Sequence, residues 1–419
     1  MWSSLGLDLE AHDVLLDVLN KAYQDVFLSQ KGRPESMSYF DFVISEVHGL
    51  RIKELLDAKK EGRPVIGSFC VFVPEELILA VDGISVGLCT GAEFAFVEAE
   101  KLLPRNTCAL IKSAFGFKQG KVCPYLESSD MVVGENTCDG KKKSYEVLRD
   151  LVPNLYVMDL PQMKSDAGRD LLAAEYRRFL VELEKLSGRT VTVEKLQQAI
   201  RTINAKRKAV GRLARYRHAN PAPISGLDAL LINQVYFYDN PVRFTGSVEK
   251  INDELDTRIG SATGVCSAGT PRLLVSGCPM AVPNWKVPSV VEKCGAVIVA
   301  EESCVGERGT RFLTRETGDS VDALVENIVD RYYQIDCAVF TPNPSRLDHI
   351  REMVKDSAAD GVIHYNLQFC QPYQIETGGV EAALEEQGIP VLRLDTDYSS
   401  EDIGQLSTRV EAFIERILG

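Results

Sequence analysis

Residues 131–145, MVVGENTCDGKKKSY, combine a short apolar run, a polar turn that carries Cys138, and the beginning of a helical pattern. A cysteine in such a turn lies at the carboxyl end of a strand, where open α/β sheets bind their ligands. Residues 361–370, GVIHYNLQFC, form a second apolar run that closes on a cysteine, Cys370. We therefore predict two α/β halves that direct these cysteines at one shared site.

The segments around these two stretches alternate between strand and helix patterns. From Pro64 onward, short β-type runs such as PVIGSFC and ISVGLC are separated by helical patterns, and the alternation returns after Arg272 with RLLVSG and AVIVAEESC. We also predict a strand that begins at Cys337, in CAVFTPNPS. Strands that alternate with helices at this spacing indicate parallel sheets. The predicted fold class is therefore α/β, with two doubly wound parallel-sheet domains.

Helical segments precede and separate the two sheets. The expected organisation is an N-terminal helical segment (1–60), a first α/β domain (61–165), a helical connector (166–262) and a second α/β domain (263–419). Cysteines recur in the same order in the two domains, after the first, second and later strands. The matching pairs are Cys70 and Cys278, Cys89 and Cys304, and Cys138 and Cys370. This weak self-similarity predicts two related domains that face each other across a cleft, a favoured place for a ligand.

Composition and charge exclude several classes of protein. The net charge of the 419-residue chain is −13, which argues against a nucleic-acid binder, because such proteins neutralise phosphates with basic residues. The one basic stretch, residues 206–217 (KRKAVGRLARYR), has helical spacing and is interpreted as a solvated helix face. No apolar run approaches the roughly 18 residues that span a membrane, and the N-terminus does not resemble a signal peptide. We expect a cytoplasmic protein.

The cysteines are the residues that indicate chemistry. Eleven are present, which is many for a chain expected in a reducing compartment, so metal or redox chemistry is favoured over disulfides. No CxxC pair occurs, which argues against a zinc ribbon, a thioredoxin motif and a ferredoxin-type loop. With five histidines in all, thiolates favour an iron–sulfur site over a mixed zinc site. His364, beside a candidate ligand, is interpreted as a hydrogen-bonded strand residue.

Several motifs together resemble one family. GENTCDGKKKSYE, preceded by LPRNTCALIKSAFGF and KVCPY, closely resembles the 2-hydroxyacyl-CoA dehydratase family over nearly the whole chain. SGCPM, EESCVGER, DCAVFTPNPSRL and HYNLQFCQPY resemble its double-cubane cluster protein branch. That resemblance implies one double-cubane [8Fe–9S] cluster, in which two [4Fe–4S] cubanes are bridged by a sulfide and six thiolates are required.

The resemblance also implies a ligand set. Cys108, Cys138 and Cys370 match the dehydratase pattern, and Cys304 and Cys337 lie in the motifs of the double-cubane branch. Cys123 is the predicted sixth ligand, because KVCPY forms a turn that leads into the MVVGENTC strand. Cys89 is the competitor, since it mirrors Cys304. Two further cysteines, Cys70 and Cys278, are expected to be structural or to lie behind the ligands, and Cys266 and Cys294 to be ordinary residues. The sequence identifies no catalytic residue.

For function, the resemblance implies the catalytic component of an ATP-dependent reductase that reduces small molecules at the cluster. The resemblance also implies a separate ATP-hydrolysing iron–sulfur reductase as the source of electrons. This chain has no GxxxxGK[ST] phosphate loop and is not expected to hydrolyse ATP itself. A homodimer is expected. Two alternatives stay open: a 2-hydroxyacyl-CoA dehydratase subunit with one [4Fe–4S] cluster, and an electron-storage iron–sulfur protein without a substrate.

Overall fold

The computed structural model describes all 419 residues and contains two four-stranded parallel sheets. The first sheet consists of β1 (Val65–Ser68), β2 (Ile84–Gly87), β3 (Met131–Glu135) and β4 (Leu155–Met158). The second sheet consists of β5 (Arg272–Gly277), β6 (Val297–Glu302), β7 (Gly361–Leu367) and β8 (Val391–Thr396). The predicted fold class, α/β with two parallel-sheet domains, is confirmed.

The two sheets have the same topology. Their strand orders are β2-β1-β3-β4 and β6-β5-β7-β8, and every neighbouring pair is parallel. In each sheet the first strand lies between the second and the third, so the chain winds outward in both directions from it. Ligands of such sheets bind beyond the carboxyl ends of the strands at this switch point.

Helices cover the sheets and fill the segments before and between them. The N-terminal segment and first domain contain α1 (Leu9–Tyr23), α2 (Met37–Ser45), α3 (Leu50–Lys60), α4 (Glu75–Ala80), α5 (Phe96–Ala99), α6 (Ala109–Gln119), α7 (Pro124–Ser128) and α8 (Asp139–Leu151). The connector contains α9 (Asp166–Ser187), α10 (Val193–Tyr216), α11 (Gly226–Val235) and α12 (Pro241–Gly260). The second domain contains α13 (Lys286–Lys293), α14 (Val321–Tyr332), α15 (Pro344–Ser357), α16 (Gln371–Glu385) and α17 (Ile403–Leu418). No helix is both long enough and apolar enough to span a bilayer.

Each connector helix begins at a polar residue whose side chain satisfies free backbone N–H groups of the first turn. The capping residues are Ser165, Thr192, Ser225 and Asn240. Such caps typically stabilise a helix by about 1 kcal/mol each. The predicted helical connector thus has helix-start signals that are local in sequence, and its four helices lie between the two sheets along the chain.

The connector packs the two halves into one body. The largest apolar core includes Phe27 of the N-terminal segment, Val86 of β2, Leu231 of α11 and Ile363 of β7. A second core joins α4, α9 and α14. All strands and long helices fall inside the four predicted ranges. The division into these four domains and its boundaries stay predictions.

Two local predictions are wrong. No strand begins at Cys337, where residues 336–343 form a loop. Both positions beside β5 are already filled by β6 and β7, and Pro342 and Pro344 lack the N–H that a ladder requires. The N–H of Thr341 instead donates to the carbonyl of Gln162, 3.0 Å away. The consequence is that Cys337 is carried on a loop over the carboxyl edge of the second sheet.

The basic stretch is not a solvated helix face. Lys206 and Arg207 of α10 are each 2% exposed, because α10 packs against α4 and meets its acidic residues. Lys206 pairs with Glu75 at 2.7 Å, and Arg207 pairs with Glu76 at 2.6 Å. Spacing alone predicts a helix here but not which of its faces is covered.

Candidate metal centre

Eight of the eleven cysteines line one cavity between the carboxyl edges of the two sheets. They are Cys70, Cys89, Cys108, Cys138, Cys278, Cys304, Cys337 and Cys370. The cavity measures about 130 Å³, and 20 of its 27 lining residues are hydrophobic. The two halves therefore direct thiols into one shared, largely apolar space.

The fold places these cysteines at equivalent points of the two halves. Three cysteines of each half follow the ends of its first three strands: Cys70, Cys89 and Cys138 follow β1, β2 and β3, and Cys278, Cys304 and Cys370 follow β5, β6 and β7. Cys108 immediately precedes α6, and Cys337 lies in the loop before α15. Parallel strands end at the same edge of a sheet, so residues far apart in sequence meet there. Gly277 is needed beside Cys278, because its φ is 125° and a Cβ would overlap the Tyr365 carbonyl oxygen.

Three of the predicted ligands share one setting. Cys108, Cys138 and Cys370 are the N-cap residues of α6, α8 and α16. Backbone N–H groups in the first turn approach the sulfurs of Cys108 and Cys138 and act to lower the pKa of each thiol. The neighbouring Cys370 and burial nevertheless raise the pKa of Cys108, and burial raises that of Cys138. Helix N-termini favour thiolates, so these three residues are arranged to bind a cation.

A second group is more enclosed. Cys304 and Cys337 lie near Cys70, and the sulfur of Cys304 accepts a hydrogen bond from Nη1 of Arg308 at 3.4 Å. The Cys337 sulfur lies 3.9 Å from the hydroxyl of Tyr373. Burial, with the Cys304 and Cys337 thiols as neighbours, raises the pKa of Cys70 to about 12. Without a bound metal the Cys70 thiol is therefore protonated, and metal binding would release its proton.

The other two cysteines of the cavity have protein partners for their sulfurs. The Cys89 thiol donates to the carbonyl oxygen of Phe69 at 2.9 Å, and burial raises its pKa to about 11. The Cys278 sulfur accepts the N–H of Leu367 at 3.3 Å. Of the two cysteines that were expected to lie behind the ligands, Cys278 has this contact with Leu367, and Cys70 has the backbone N–H of Phe72 near its sulfur.

Cys123 lies elsewhere. It is 4% exposed, is the N-cap of α7, and packs in the large apolar core without lining the cysteine cavity. Burial raises the pKa of its thiol to about 11, and its charged neighbours are Glu127 and Lys118 rather than other cysteines. The structure thus brings together five of the six predicted ligands and leaves Cys123 outside. Cys266 and Cys294 also lie outside the cavity, as expected.

Buried charges surround the enclosed group, and sequence analysis did not identify them. Glu302, at the end of β6, accepts hydrogen bonds from Arg308 at 2.7 Å and from Arg346 at 2.6 Å. All three residues are at most 3% exposed. The motif EESCVGER contains Glu302 and Arg308, so an acid and a base flanking a cysteine were visible in the sequence.

His364 lies in a strand, but its side chain is not hydrogen-bonded, contrary to the prediction. It is fully buried in β7, and neither ring nitrogen has a hydrogen-bond partner. Burial lowers the pKa of the imidazole to about 3, so the ring is neutral. It does not line the cysteine cavity and is not placed to bind a metal there.

The donors fit a polynuclear cluster better than a single ion. No three Cys, His, Asp or Glu side chains are placed to hold one metal ion. Iron–sulfur clusters instead take thiolates spread around their perimeter. Eight thiols around one apolar cavity supply the right ligand type in more than sufficient number.

An open cleft of about 1060 Å³ adjoins the cavity. Its walls include Cys108, Cys138 and Cys370, and the loop 338–344 forms part of the opposite side. The apolar side chains of Phe369 and Ile375 are 45% and 80% exposed at this cleft. The three N-cap cysteines, Cys108, Cys138 and Cys370, are therefore the part of the site that lies nearest to solvent.

Comparison with known proteins identifies the family of the chain. A family model described as 2-hydroxyglutaryl-CoA dehydratase, D-component, matches residues 70–417. The chain is 37% identical over 380 residues to the putative dehydratase subunit YjiM of Escherichia coli (strain K12), covering 89% of this chain and 96% of that protein. It is 25% identical over 363 residues to the (R)-phenyllactyl-CoA dehydratase beta subunit of Clostridium sporogenes, covering 86% and 93%. It is 22% identical over 362 residues to one subunit of the benzoyl-CoA reductase of Thauera aromatica, covering 85% and 91%. The chain therefore belongs to the 2-hydroxyacyl-CoA dehydratase family, as its motifs predicted.

Proposed function

We propose that this protein is the catalytic component of an ATP-dependent, low-potential reductase and holds a double-cubane [8Fe–9S] cluster in the cysteine cavity. The observation that carries the proposal is the convergence of eight cysteines, four from each half, on one apolar cavity. A dehydratase-type [4Fe–4S] cluster on three cysteines would leave five of these thiols without a role.

The proposed ligands form two groups of three. Cys108, Cys138 and Cys370 hold the cubane next to the open cleft. Cys70, Cys304 and Cys337 hold the enclosed cubane. Cys70 takes the place predicted for Cys123, because Cys70 lines the cavity beside Cys304 and Cys337, whereas Cys123 is packed in the core.

Cys89 remains the competitor of Cys70 for the sixth place. Its thiol already donates to the Phe69 carbonyl, a contact that a metal-bound thiolate would lose. The Cys278 sulfur, held by the N–H of Leu367, is assigned to packing behind the cluster.

The cluster would supply electrons of low potential for the reduction of a small molecule. The residues of this chain prepare its site in three ways. Apolar side chains exclude water from the cavity, helix N-termini stabilise the thiolates of Cys108 and Cys138, and ligands from both halves couple cluster binding to folding.

Electrons and substrate would reach the cluster through the cleft. The chain has no phosphate loop for ATP, so we assign nucleotide hydrolysis to a separate iron–sulfur reductase. The apolar side chains of Phe369 and Ile375 beside Cys370 offer that reductase a contact surface. The relatives in Clostridium sporogenes and Thauera aromatica are both named as subunits, which supports assembly with other chains. Pairing into a homodimer is part of the proposal.

The second candidate is a dehydratase subunit with one [4Fe–4S] cluster on Cys108, Cys138 and Cys370. The names of the relatives in Escherichia coli and Clostridium sporogenes favour it. An electron-storage protein without a substrate is less well supported, because the cleft gives a small molecule access to the site.

A turnover assay tests the proposed function. Anaerobically purified protein is supplied with an ATP-hydrolysing iron–sulfur reductase of this family, and reduction of small probes such as hydrazine or acetylene is measured. We expect turnover that requires both reductase and ATP. Full turnover with a simple ferredoxin and no nucleotide, or dehydration of a 2-hydroxyacyl-CoA as the only reaction, would contradict the proposal.

A further inference from the structure

Arg308 is a buried cation that points at a proposed ligand. Its side chain has no exposed surface, and its Nη1 lies 3.4 Å from the sulfur of Cys304. The same nitrogen contacts the hydroxyl of Tyr373, which is itself 3.9 Å from the sulfur of Cys337. Arg308 therefore reaches one enclosed cysteine directly and another through Tyr373.

Glu302 fixes the guanidinium in this position. Nε and Nη2 of Arg308 donate to the two carboxylate oxygens of Glu302 at 2.7 and 2.9 Å. Such a two-point contact sets the plane of the guanidinium, which leaves Nη1 directed at the sulfur. The Nη2 atom also donates to the Gly277 and Glu302 carbonyls, each at 3.3 Å.

The one carboxylate that pairs with Arg308 also carries a second cation. Glu302 is shared by two arginines, Arg308 and Arg346. Arg346 has a second acid, Glu376, whose side chain is 18% exposed and lies at the cleft. Three further carboxylates lie near Glu302: Asp336 pairs with His349 at 2.5 Å, and Glu301 and Glu307 have Arg217 as a neighbouring cation.

The first half has an acid–cation pair with the same sequence spacing, after its third strand rather than its second. Glu135 ends β3 and pairs with Lys141, which lines the cysteine cavity. Glu302 ends β6 and pairs with Arg308. In both halves the cation follows its acid by six residues, and a cavity cysteine lies between them. Each half therefore contributes one cation to the site, and each cation is paired with an acid of the same half.

We propose that Arg308 and Lys141 are positioning residues that raise the reduction potential of the cluster, Arg308 by its contact with Cys304. The inference rests on the proposed function. A reduced cluster carries one more negative charge, and a fixed cation in an apolar cavity stabilises that charge strongly. A hydrogen bond to a ligand sulfur acts in the same direction. The electron comes from the iron–sulfur reductase, and no bond forms or breaks at either residue.

The test is a mediated redox titration of the intact anaerobic protein, followed by electron paramagnetic resonance, with iron measured in each sample. For Arg308→Gln we expect parental iron content, a changed spectrum, and a reduction equilibrium at least tenfold less favourable. Tenfold equals about 59 mV to more negative potential for a one-electron couple. Lys141→Gln should shift the potential in the same direction.

Two further variants separate contact from bulk charge. Arg346→Gln removes a buried cation from the same carboxylate without touching a sulfur, and it should cause less than half the shift of Arg308→Gln. Tyr373→Phe removes only the hydroxyl and should give a smaller shift of the potential in the same direction. If Arg308→Gln loses iron, the potentials of Tyr373→Phe and Lys141→Gln test the inference instead.

The outcomes separate the two proposals. Full iron with an unchanged or raised potential in the deciding variants overturns the inference alone. An equal shift in Arg346→Gln overturns the claim of a specific sulfur contact. A parental protein that binds no cluster overturns the proposed function and this inference with it.

Discussion

Replacement of Glu76 should weaken the contact between the two halves that face the cysteine cavity. Glu76 of α4 is fully buried and accepts a hydrogen bond from Arg207 of the connector at 2.6 Å. It also accepts hydrogen bonds from Thr314 at 2.9 Å and Tyr332 at 2.8 Å, both of the second half. The change Glu76→Gln removes the charge that these three donors share while it keeps the shape of the side chain.

The magnitude follows from the pKa of the carboxyl. Burial acts to raise the pKa of Glu76, but Arg207 and Arg331 outweigh burial and lower it from 4.5 to about 2. At 1.36 kcal/mol per pKa unit, that difference corresponds to about 3 kcal/mol of folding free energy. Measured costs of breaking a buried ion pair, about 3–5 kcal/mol, agree. Because the folded pKa is depressed, this stabilisation is present above pH 4.5 and is lost as the pH falls toward 2.

Urea unfolding of cluster-free parent and variant at pH 7 and at pH 3 measures the effect. We expect Glu76→Gln to lower the free energy of unfolding by about 3 kcal/mol at pH 7, and by clearly less at pH 3. Glu75→Gln is the matched control on the same helix: Glu75 pairs with Lys206 but is 19% exposed, so its loss should cost less. An equal cost for both variants, or a cost for Glu76→Gln that does not shrink in acid, would refute the reasoning.

Three further results are expected. Removal of the cluster by oxidation or chelation should lower the melting temperature, because its ligands come from both halves; an unchanged melting temperature would argue against a bridging cluster. The change Ile375→Asp should slow reductase-driven reduction but not reduction by dithionite, whereas Val242→Asp, 68% exposed on α12, should slow neither; equal effects would remove the cleft as the contact surface. Cys70→Ser should lose iron and Cys123→Ser should retain it, and the reverse result would restore the sequence-based ligand.

The fold was largely predictable because its signals are local. Apolar runs such as MVVGE alternate with helical patterns, and the connector helices begin at capping residues that can be seen in the sequence. The repeated order of cysteines predicted two related halves, and the two sheets have the same strand order. Strand ends predict a shared edge, which is why Cys138, Cys304 and Cys370 meet at the cavity. The other two predicted ligands there, Cys108 and Cys337, lie at a helix start and in a loop.

The missed features depend on contacts between distant segments. Cys123 lies in a turn, as other candidate ligands do, but it is packed in the large apolar core. No local sequence pattern distinguishes a cysteine buried in the core from one that lines the cavity. Cys70 was set aside because it follows the first strand, although that strand is central in its sheet. The burial of Lys206 and Arg207 depends on α4, about 130 residues earlier in the chain. The spacing between Glu302 and Arg308 is a local signal, but the burial of this pair beside the cysteine cavity depends on the fold.

Iron and acid-labile sulfide per chain, measured in anaerobically purified parent and in the Cys304→Ser and Cys337→Ser variants, test the central claim most directly. We expect roughly eight iron atoms per parental chain, a loss of iron in both variants, and a changed spectrum. About four iron atoms in the parent, with full retention of iron and spectrum in both variants, would contradict it and leave a single [4Fe–4S] cluster on Cys108, Cys138 and Cys370.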